Sequence, residues 1–260
     1  MTWAAKRRIM YLGALLILFT GLLVRILWPY FHEAPTCTDK KQNGAETGVD
    51  CGGMCAIYCP GEAKPISVSW SRSFLVTDGV YNAVAYIENK NQKAGIYKVG
   101  YEFKFYDDKN LFITNRTGST FVAPNGRSAI FEPNIVVSTN RPIKRTTFAF
   151  TNEPRFLKVN EKFDPLSLIT SAGVPTEVQT SPKLEAKIKN RTPMDFVGVE
   201  SIAILYDKDE IAIGASKTYL DGIKAGEQNN LYFSWLLPFS VPVATTEIFT
   251  RFDPFTQLYK

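Results

Sequence analysis

Four cysteines carry the most reactive side chains in this chain. Cys37, Cys51, Cys55 and Cys59 lie in one short stretch, and the other parts of the 260 residues contain none. Four oxygen donors, Asp39, Asn43, Glu46 and Asp50, are interspersed with them, and Gly44, Gly48, Gly52 and Gly53 mark turns. Almost no apolar side chain is present to build a core there, so a covalent or metallic link must hold the segment. Outside the cytoplasm two disulfides are expected, with three pairings open. A four-thiolate zinc site is the rival, although its usual paired C-x-x-C spacing is absent. No cofactor is expected, although the oxygen donors make calcium a candidate ligand. Their spacing is not that of an EF-hand, and Lys40 and Lys41 oppose a cation, so capping of turns is the competing and preferred role.

Other chemistries are poorly served. The single histidine is His32, expected at a membrane surface, and a Ser-His-Asp, Cys-His or multi-histidine metal site cannot be assembled from it. Gly214-Ala-Ser-Lys217 and Lys224-Ala-Gly226 lack the spacing of a phosphate loop. Asp107-Asp108 and Asp207, Asp209 and Glu210 fall in turn-like sequence, where solvated carboxylates are ordinary. The chain is therefore expected not to be an enzyme. Nucleic acid is an unsuitable partner as well. The formal charge is +5, but Lys6, Arg7, Arg8 and Arg25 supply four of those charges and leave about +1 for everything else.

Those four basic residues frame an apolar run. Ile9 to Val24 is unbroken, and after Arg25 it resumes to Trp28. Residues 9–28 are long enough to cross a bilayer core of roughly 30 Å as a helix. Arg25 can snorkel toward headgroups. Trp3 and Tyr11 stand at one border and Trp28, Tyr30 and Phe31 at the other, as interfacial aromatics do. The Lys6-Arg7-Arg8 cluster predicts a cytoplasmic tail over residues 1–8, with all that follows Trp28 outside. A cleaved signal peptide is the alternative, and neither a small-residue cleavage site nor a lipobox cysteine supports it.

The cysteine-rich module, residues 37–60, contains Asn43-Gly44-x-Glu46-Thr47-Gly48-Val49-Asp50-Cys51-Gly52-Gly53-x-Cys55. This resembles a short cysteine-rich motif of bacterial surface proteins, departing from it at Lys40, where the motif often has glycine. The resemblance implies a location and no activity.

Beyond the module the sequence recurs at an offset of about one hundred. Val99 to Asp107 (VGYEFKFYD) answers Val199 to Asp207 (VESIAILYD), and Ile113, Gly126, Pro142, Thr146 and Pro154 match Ile213, Gly226, Pro242, Thr246 and Pro254. Short alternating strands separated by Asn, Asp, Gly and Pro predict two β-sandwiches, residues 65–153 and 154–260. The first has strands near 66–70, 80–88, 97–106, 111–114, 120–122, 128–137 and 145–150. The second opens at 156–159, carries an inserted loop over Glu161 to Pro182, and continues at 184–189, 197–206, 210–214, 217–219, 230–235 and 246–251. At Phe103-x-Phe105-Tyr106-Asp107 and Ala203-x-Leu205-Tyr206-Asp207 the chain resembles the FxLYD domain family. Asn89 and Asn190 and the turn glycines Gly126 and Gly226 also fit that pattern. The resemblance implies immunoglobulin-like sandwiches at a prokaryotic envelope and brings no catalytic motif. Tyr106 and Tyr206 are expected to be structural hydrogen-bonding corners. Asn115-Arg-Thr117 and Asn190-Arg-Thr192 match the glycosylation sequon by pattern only.

One strand breaks the rule of alternation. In the first sandwich Val99, Tyr101, Phe103 and Phe105 face one way and Gly100, Glu102 and Lys104 the other. In the second, the face opposite Val199, Ala203 and Leu205 carries Ile202, Ile204 and Tyr206. A strand apolar on both faces is covered on both faces. The expected cover is the 161–182 insertion, through Leu166, Leu168 and Ile169. The alternative is a protein partner, which makes Ile202, Ile204 and Tyr206 a candidate interaction face.

The chain is thus expected to be all-β after one transmembrane helix and a small cysteine-rich module. Its expected role is that of a single-pass, membrane-anchored extracytoplasmic protein, structural or protein-binding, at the cell envelope. The alternative is an accessory subunit of a membrane complex, associating through the helix, where Gly13 and Gly21 lie near one face.

Overall fold

The computed structural model describes residues 2–31, 36–159 and 167–255, with residues 29–31 described by backbone alone. The chain forms two compact units, Met1–Cys55 and Ala56–Lys260.

In the first unit, α1 (Trp3–Phe31) is apolar over Trp3–Trp28 with none of that segment buried. No acid occupies its first turn and no base its last, so apolar surface and not end charge is its dominant property. The Arg7 guanidinium lies 3.9 Å from the centre of the Trp3 ring. Residues 36–55 form a chain of turns, with positive φ at Lys40, Gly44, Asp50, Gly52 and Gly53.

All thirteen strands among the described residues lie in the second unit: β1 (Ser67–Thr77), β2 (Val80–Asn89), β3 (Ala94–Tyr106), β4 (Phe112–Val122), β5 (Gly126–Val136), β6 (Arg145–Phe150), β7 (Leu157–Lys158), β8 (Leu168–Ala172), β9 (Lys183–Asn190), β10 (Phe196–Tyr206), β11 (Ala212–Ile223), β12 (Gln228–Ser234) and β13 (Thr245–Arg251). They form two sandwiches with the same strand order. The first pairs sheet β1-β2-β5 with β4-β3-β6, and the second pairs β8-β9-β12 with β11-β10-β13. All neighbours within these sheets are antiparallel.

The hundred-residue offset extends to the hydrogen-bond register. Phe105 pairs Thr146 and Leu205 pairs Thr246, with a bulge at Phe105/Tyr106 and again at Leu205/Tyr206. The turn that follows is held by the aspartate. Asp107 Oδ1 accepts from the Lys109 and Leu111 amides, and Asp207 Oδ1 accepts from the Asp209 and Ile211 amides, at 2.9 to 3.0 Å. The left-handed residues Asn110 and Glu210 complete the two turns. At the opposite ends of the sandwiches, Asn89 and Asn190 are buried. Asn89 Nδ2 donates to the Ala94 and Ala123 carbonyls, and Asn190 Nδ2 donates to those of Met194, Ile223 and Lys224. Each asparagine satisfies backbone groups that a buried turn would otherwise leave unpaired.

Several expected boundaries change. Residues 156–159 do not open the second sandwich; Leu157–Lys158 form β7 on the start of β3, and Ile57 bridges Leu157 in turn. The opening strand is β8, inside the region expected to be an insertion, with Ile169 opposite Lys189. The expected strands at 111–114 and 120–122 are one strand, β4. The sequence reading ends at its polar middle, but that middle contains Gly118, where a Cβ would stand 2.5 Å from the Tyr101 hydroxyl and 2.6 Å from the ring carbon bearing it. The glycine leaves room for that ring and does not mark a turn. The expected strands at 210–214 and 217–219 likewise form one strand, β11. The expected division at 153/154 falls before β7, which still pairs with the first sandwich, and both sandwiches lie in one compact unit.

Candidate interaction interface

Each sandwich has its own core. Val99, Tyr101, Phe103 and Phe105 enter the first, and Val199, Ala203 and Leu205 the second. A third buried cluster lies between the sandwiches. From the first come Phe74, Val84, Tyr86 and Ala129; from the second come Ile202, Ile204, Ala212, Ala215 and Phe249. The outer face of β10 is therefore packed, as its lost alternation requires, and Ile202 and Ile204 are fully buried. Their cover is the outer face of sheet β1-β2-β5, which corrects the expected cover. Leu168 points into the second core and Ile169 is partly exposed, while Leu166 lies outside the described residues. The candidate face Ile202, Ile204 and Tyr206 meets the chain's own first sandwich and not solvent.

The covering strand, β2, shows the same lost alternation. In Tyr81-Asn-Ala-Val-Ala-Tyr-Ile87, Tyr81, Ala83, Ala85 and Ile87 enter the first core, and Val84 and Tyr86 meet the second sandwich. Two doubly apolar strands thus lie on opposite sides of one interface. Burying an isoleucine side chain fully contributes about 1.5–3 kcal/mol, which gives Ile202 and Ile204 a large share of the interface's stability. Tyr86 adds an edge-on contact with Phe249 at 5.1 Å between ring centres.

Polar groups fix the register of this contact. Glu247 on β13 accepts from the Tyr86 hydroxyl at 3.1 Å and from the Tyr206 hydroxyl at 3.0 Å, so one carboxylate joins a tyrosine from each sandwich. Burial, then the Glu247 charge, pushes both phenols above their ordinary value. Arg251, also on β13, is buried. Its guanidinium donates to the Ala129 carbonyl at 2.9 Å, to the Phe121 carbonyl at 3.3 Å and to the Thr120 hydroxyl, and it lies 4.3 Å from the centre of the Phe121 ring. Its Nε is 3.5 Å from Glu200. Burial lowers the Arg251 pKa and the Glu200 charge opposes that shift. Arg72 crosses in the other direction, donating to the Ala212 carbonyl at 2.8 Å. Sequence reasoning missed Glu247 and Arg251. Their only signal is that charged residues stand on a face of β13 that also carries Phe249.

The corner role expected of Tyr106 and Tyr206 belongs to the neighbouring aspartates. Tyr106 instead lies under the Arg145 guanidinium, 4.1 Å from it, and Tyr206 serves the interface. Arg141 reaches Asp107 Oδ2 at 2.7 Å and holds that carboxyl below its ordinary value. Asn190 is wholly buried, which removes its sequon as a modification site, and Asn115 donates to Glu102 at 2.6 Å.

In the cysteine-rich module, Cys37 and Cys55 form a disulfide, and Cys51 and Cys59 are also disulfide-bonded. The calcium candidates are engaged in turns. Asp39 accepts from the Lys41 amide and from Asn43 Nδ2, Glu46 from the Asn43 and Asp50 amides, and Asp50 from the Lys40 amide. Asn43 Oδ1 is buried and accepts no hydrogen bond. Cys37, Glu46 and Cys55 lie close enough together to suggest a metal site, but both sulfurs are committed to the disulfide. Of the anchor residues, Ile9, Val24, Arg25 and Trp28 all have exposed side chains on α1. His32 lies outside the described residues.

No family model matches the chain, and no curated protein matches it. Among solved structures it is similar to a β-glucuronidase of Bacteroides uniformis (15% identity, 70% of this chain and 26% of that one, TM-score 0.25). It is also similar to red sea bream transglutaminase (9% identity, 74% and 30%, TM-score 0.24) and to a putative β-galactosidase from Bacteroides fragilis (9% identity, 67% and 32%, TM-score 0.20). The chain spans about a quarter to a third of those proteins, and likenesses this low carry no argument about activity.

Proposed function

We propose that this chain is a single-pass, membrane-anchored protein whose joined sandwiches stand outside the membrane in a structural or protein-binding role at the envelope. The observation that carries the proposal is α1: an apolar helix unburied throughout Trp3–Trp28, with Lys6, Arg7 and Arg8 at its start. A helix of this kind serves as an anchor or as a signal. The long apolar run and the lack of a small-residue cleavage site favour the anchor. Disulfides at all four cysteines suit an oxidising compartment and so an outward module. The FxLYD-like strand ends and the cysteine motif support the same location.

The test is topology together with the intact N-terminus. Protease added outside spheroplasts is expected to degrade both sandwiches, and the mass of the purified chain to include Lys6-Arg7-Arg8. Protection of both sandwiches, or a chain that begins after Trp28, contradicts the proposal.

A further inference from the structure

Three short pieces of chain from distant places meet beside the start of β3. One is an arm at residues 56–58, where the second unit begins. Another is β7, from which the linker to the second sandwich departs. The third is the segment that follows β13, residues 252–255.

β7 ties the arm to the first sandwich. The Lys158 amide donates to the Ala56 carbonyl at 2.7 Å, and the Tyr58 amide donates to the Phe156 carbonyl at 3.0 Å. On its other side β7 pairs with Ala94 and Gly95 of β3, and the Val159 amide donates to the Lys93 carbonyl at 2.8 Å. A strand of two residues is shorter than ordinary strands, so its hold depends on what covers it.

The cover comes from the far end of the chain. Phe252 sits in the second core, with its ring centre 4.3 Å from that of Phe196. Asp253 Oδ1 accepts from the Phe255 amide at 2.9 Å and turns the chain. Pro254 and Phe255 are then buried, and Phe255 meets the Tyr97 ring edge-on at 5.7 Å. A Cβ on Gly95 would stand 3.3 Å from Phe255 Cζ and 3.0 Å from Val159 Cγ2, so both side chains fill the slot that this glycine leaves. The matching segment of the first sandwich does not cross in this way. There the Thr151 amide donates to the Gly100 carbonyl at 2.9 Å and Asn152 Oδ1 accepts from the Gly100 amide at 2.8 Å, which folds that exit back onto its own β3.

We infer that residues 252–255 are a strap that locks the arm in place. Phe255, seated on Gly95 and Tyr97, holds β7 down, and β7 holds residues 56–58 on the first sandwich. The arm is the covalent route from the sandwiches to everything N-terminal to them, so the strap controls how firmly they are carried. Lifting Phe255 frees β7 and the arm together. The two sandwich cores, to which Phe255 does not belong, stay closed.

Hydrogen exchange of the full, detergent-solubilised chain tests this in Phe255→Ala and Phe255→Leu. In Phe255→Ala the Tyr58, Lys158 and Val159 amides are expected to exchange roughly tenfold faster than in the wild type, and the Ile202 and Ile204 amides to change by less than about twofold. Phe255→Leu refills the slot and is expected to return the three amides to within about threefold of the wild type. The proposal is overturned if the three amides are unchanged in Phe255→Ala, or if Phe255→Leu leaves them as fast as Phe255→Ala does. It is also overturned if the Ile202 and Ile204 amides accelerate as much as those three, because Phe255 would then support the whole fold and not the arm.

Discussion

Lys104 and Ile204 occupy matching places one hundred residues apart, each opposite an asparagine or alanine on the neighbouring strand and a threonine or glutamate on the other. Lys104 stands on the wet outer face of β3 and pairs with Glu102 at 3.1 Å. Ile204 stands on the outer face of β10 and is fully buried. Both inner faces are apolar, so both sheets close a core in the same way. The difference lies only in what covers the outside: water over β3, and the β1-β2-β5 sheet of the first sandwich over β10. One architecture thus supplies a free sheet face and a docked one, and the side chains of alternate residues decide which.

The largest expected effect tests that contrast directly. Ile204→Ala is expected to cost about 2–5 kcal/mol in urea unfolding of the detergent-solubilised chain, because it leaves a cavity at a closed interface. Lys104→Ala is expected to cost within about 0.5 kcal/mol, as surface changes do. Equal costs would mean that the two faces are equally wet or equally dry. Next is Arg251→Met, which keeps the bulk and removes the donors to Ala129 and Phe121. The orphaned carbonyls are expected to cost about 1–3 kcal/mol in the same assay. A neutral result would mean that water already serves those carbonyls.

Tyr206→Phe sharpens the comparison through pH. The phenol is raised above 10.0 in the folded chain, so its contribution is complete below the unfolded value and is lost as pH rises above it. The wild-type chain is therefore expected to lose stability above about pH 10, and Tyr206→Phe to lose less over that window while costing about 1 kcal/mol at neutral pH. Superimposable alkaline limbs would contradict the raised pKa that burial, and then Glu247, give this phenol. The smallest effect concerns the two matching loops. Asp107 is held below 3.8 by Arg141, so its contribution is present above that value and fades as pH falls through the lowered pKa. Arg141→Ala is expected to flatten that acid limb, and Val241→Ala to leave it unchanged.

Much of this was legible in the sequence. The apolar run, the turn aspartates and the strands around residues 99–107 and 199–207 follow from residue types and spacing. So does the packing of the outer face of β10, because Ile202 and Ile204 interrupt an alternation that every wet sheet face keeps. What covers that face was not legible from β10 alone. The signal was in β2, where Val84 and Tyr86 break alternation in the same way, but a strand's second apolar face does not say which other face it meets. Glu247 and Arg251 were illegible for a different reason. A charge on a strand signals solvent until its partners, here two tyrosines and two backbone carbonyls from distant segments, are in place. The opening strand β8 was hidden by the prolines and glycines around it.

β10 is dry where β3 is wet, and thiol labelling reports this most directly. Every native cysteine is in a disulfide, so one engineered cysteine is the only free thiol. Maleimide labelling of the native, detergent-solubilised chain compares Lys104→Cys with Ile204→Cys. The expected result is rapid labelling at position 104 and labelling at position 204 only after denaturant unfolds the chain. Equally rapid labelling at both positions in the native chain would show that the first sandwich does not cover β10.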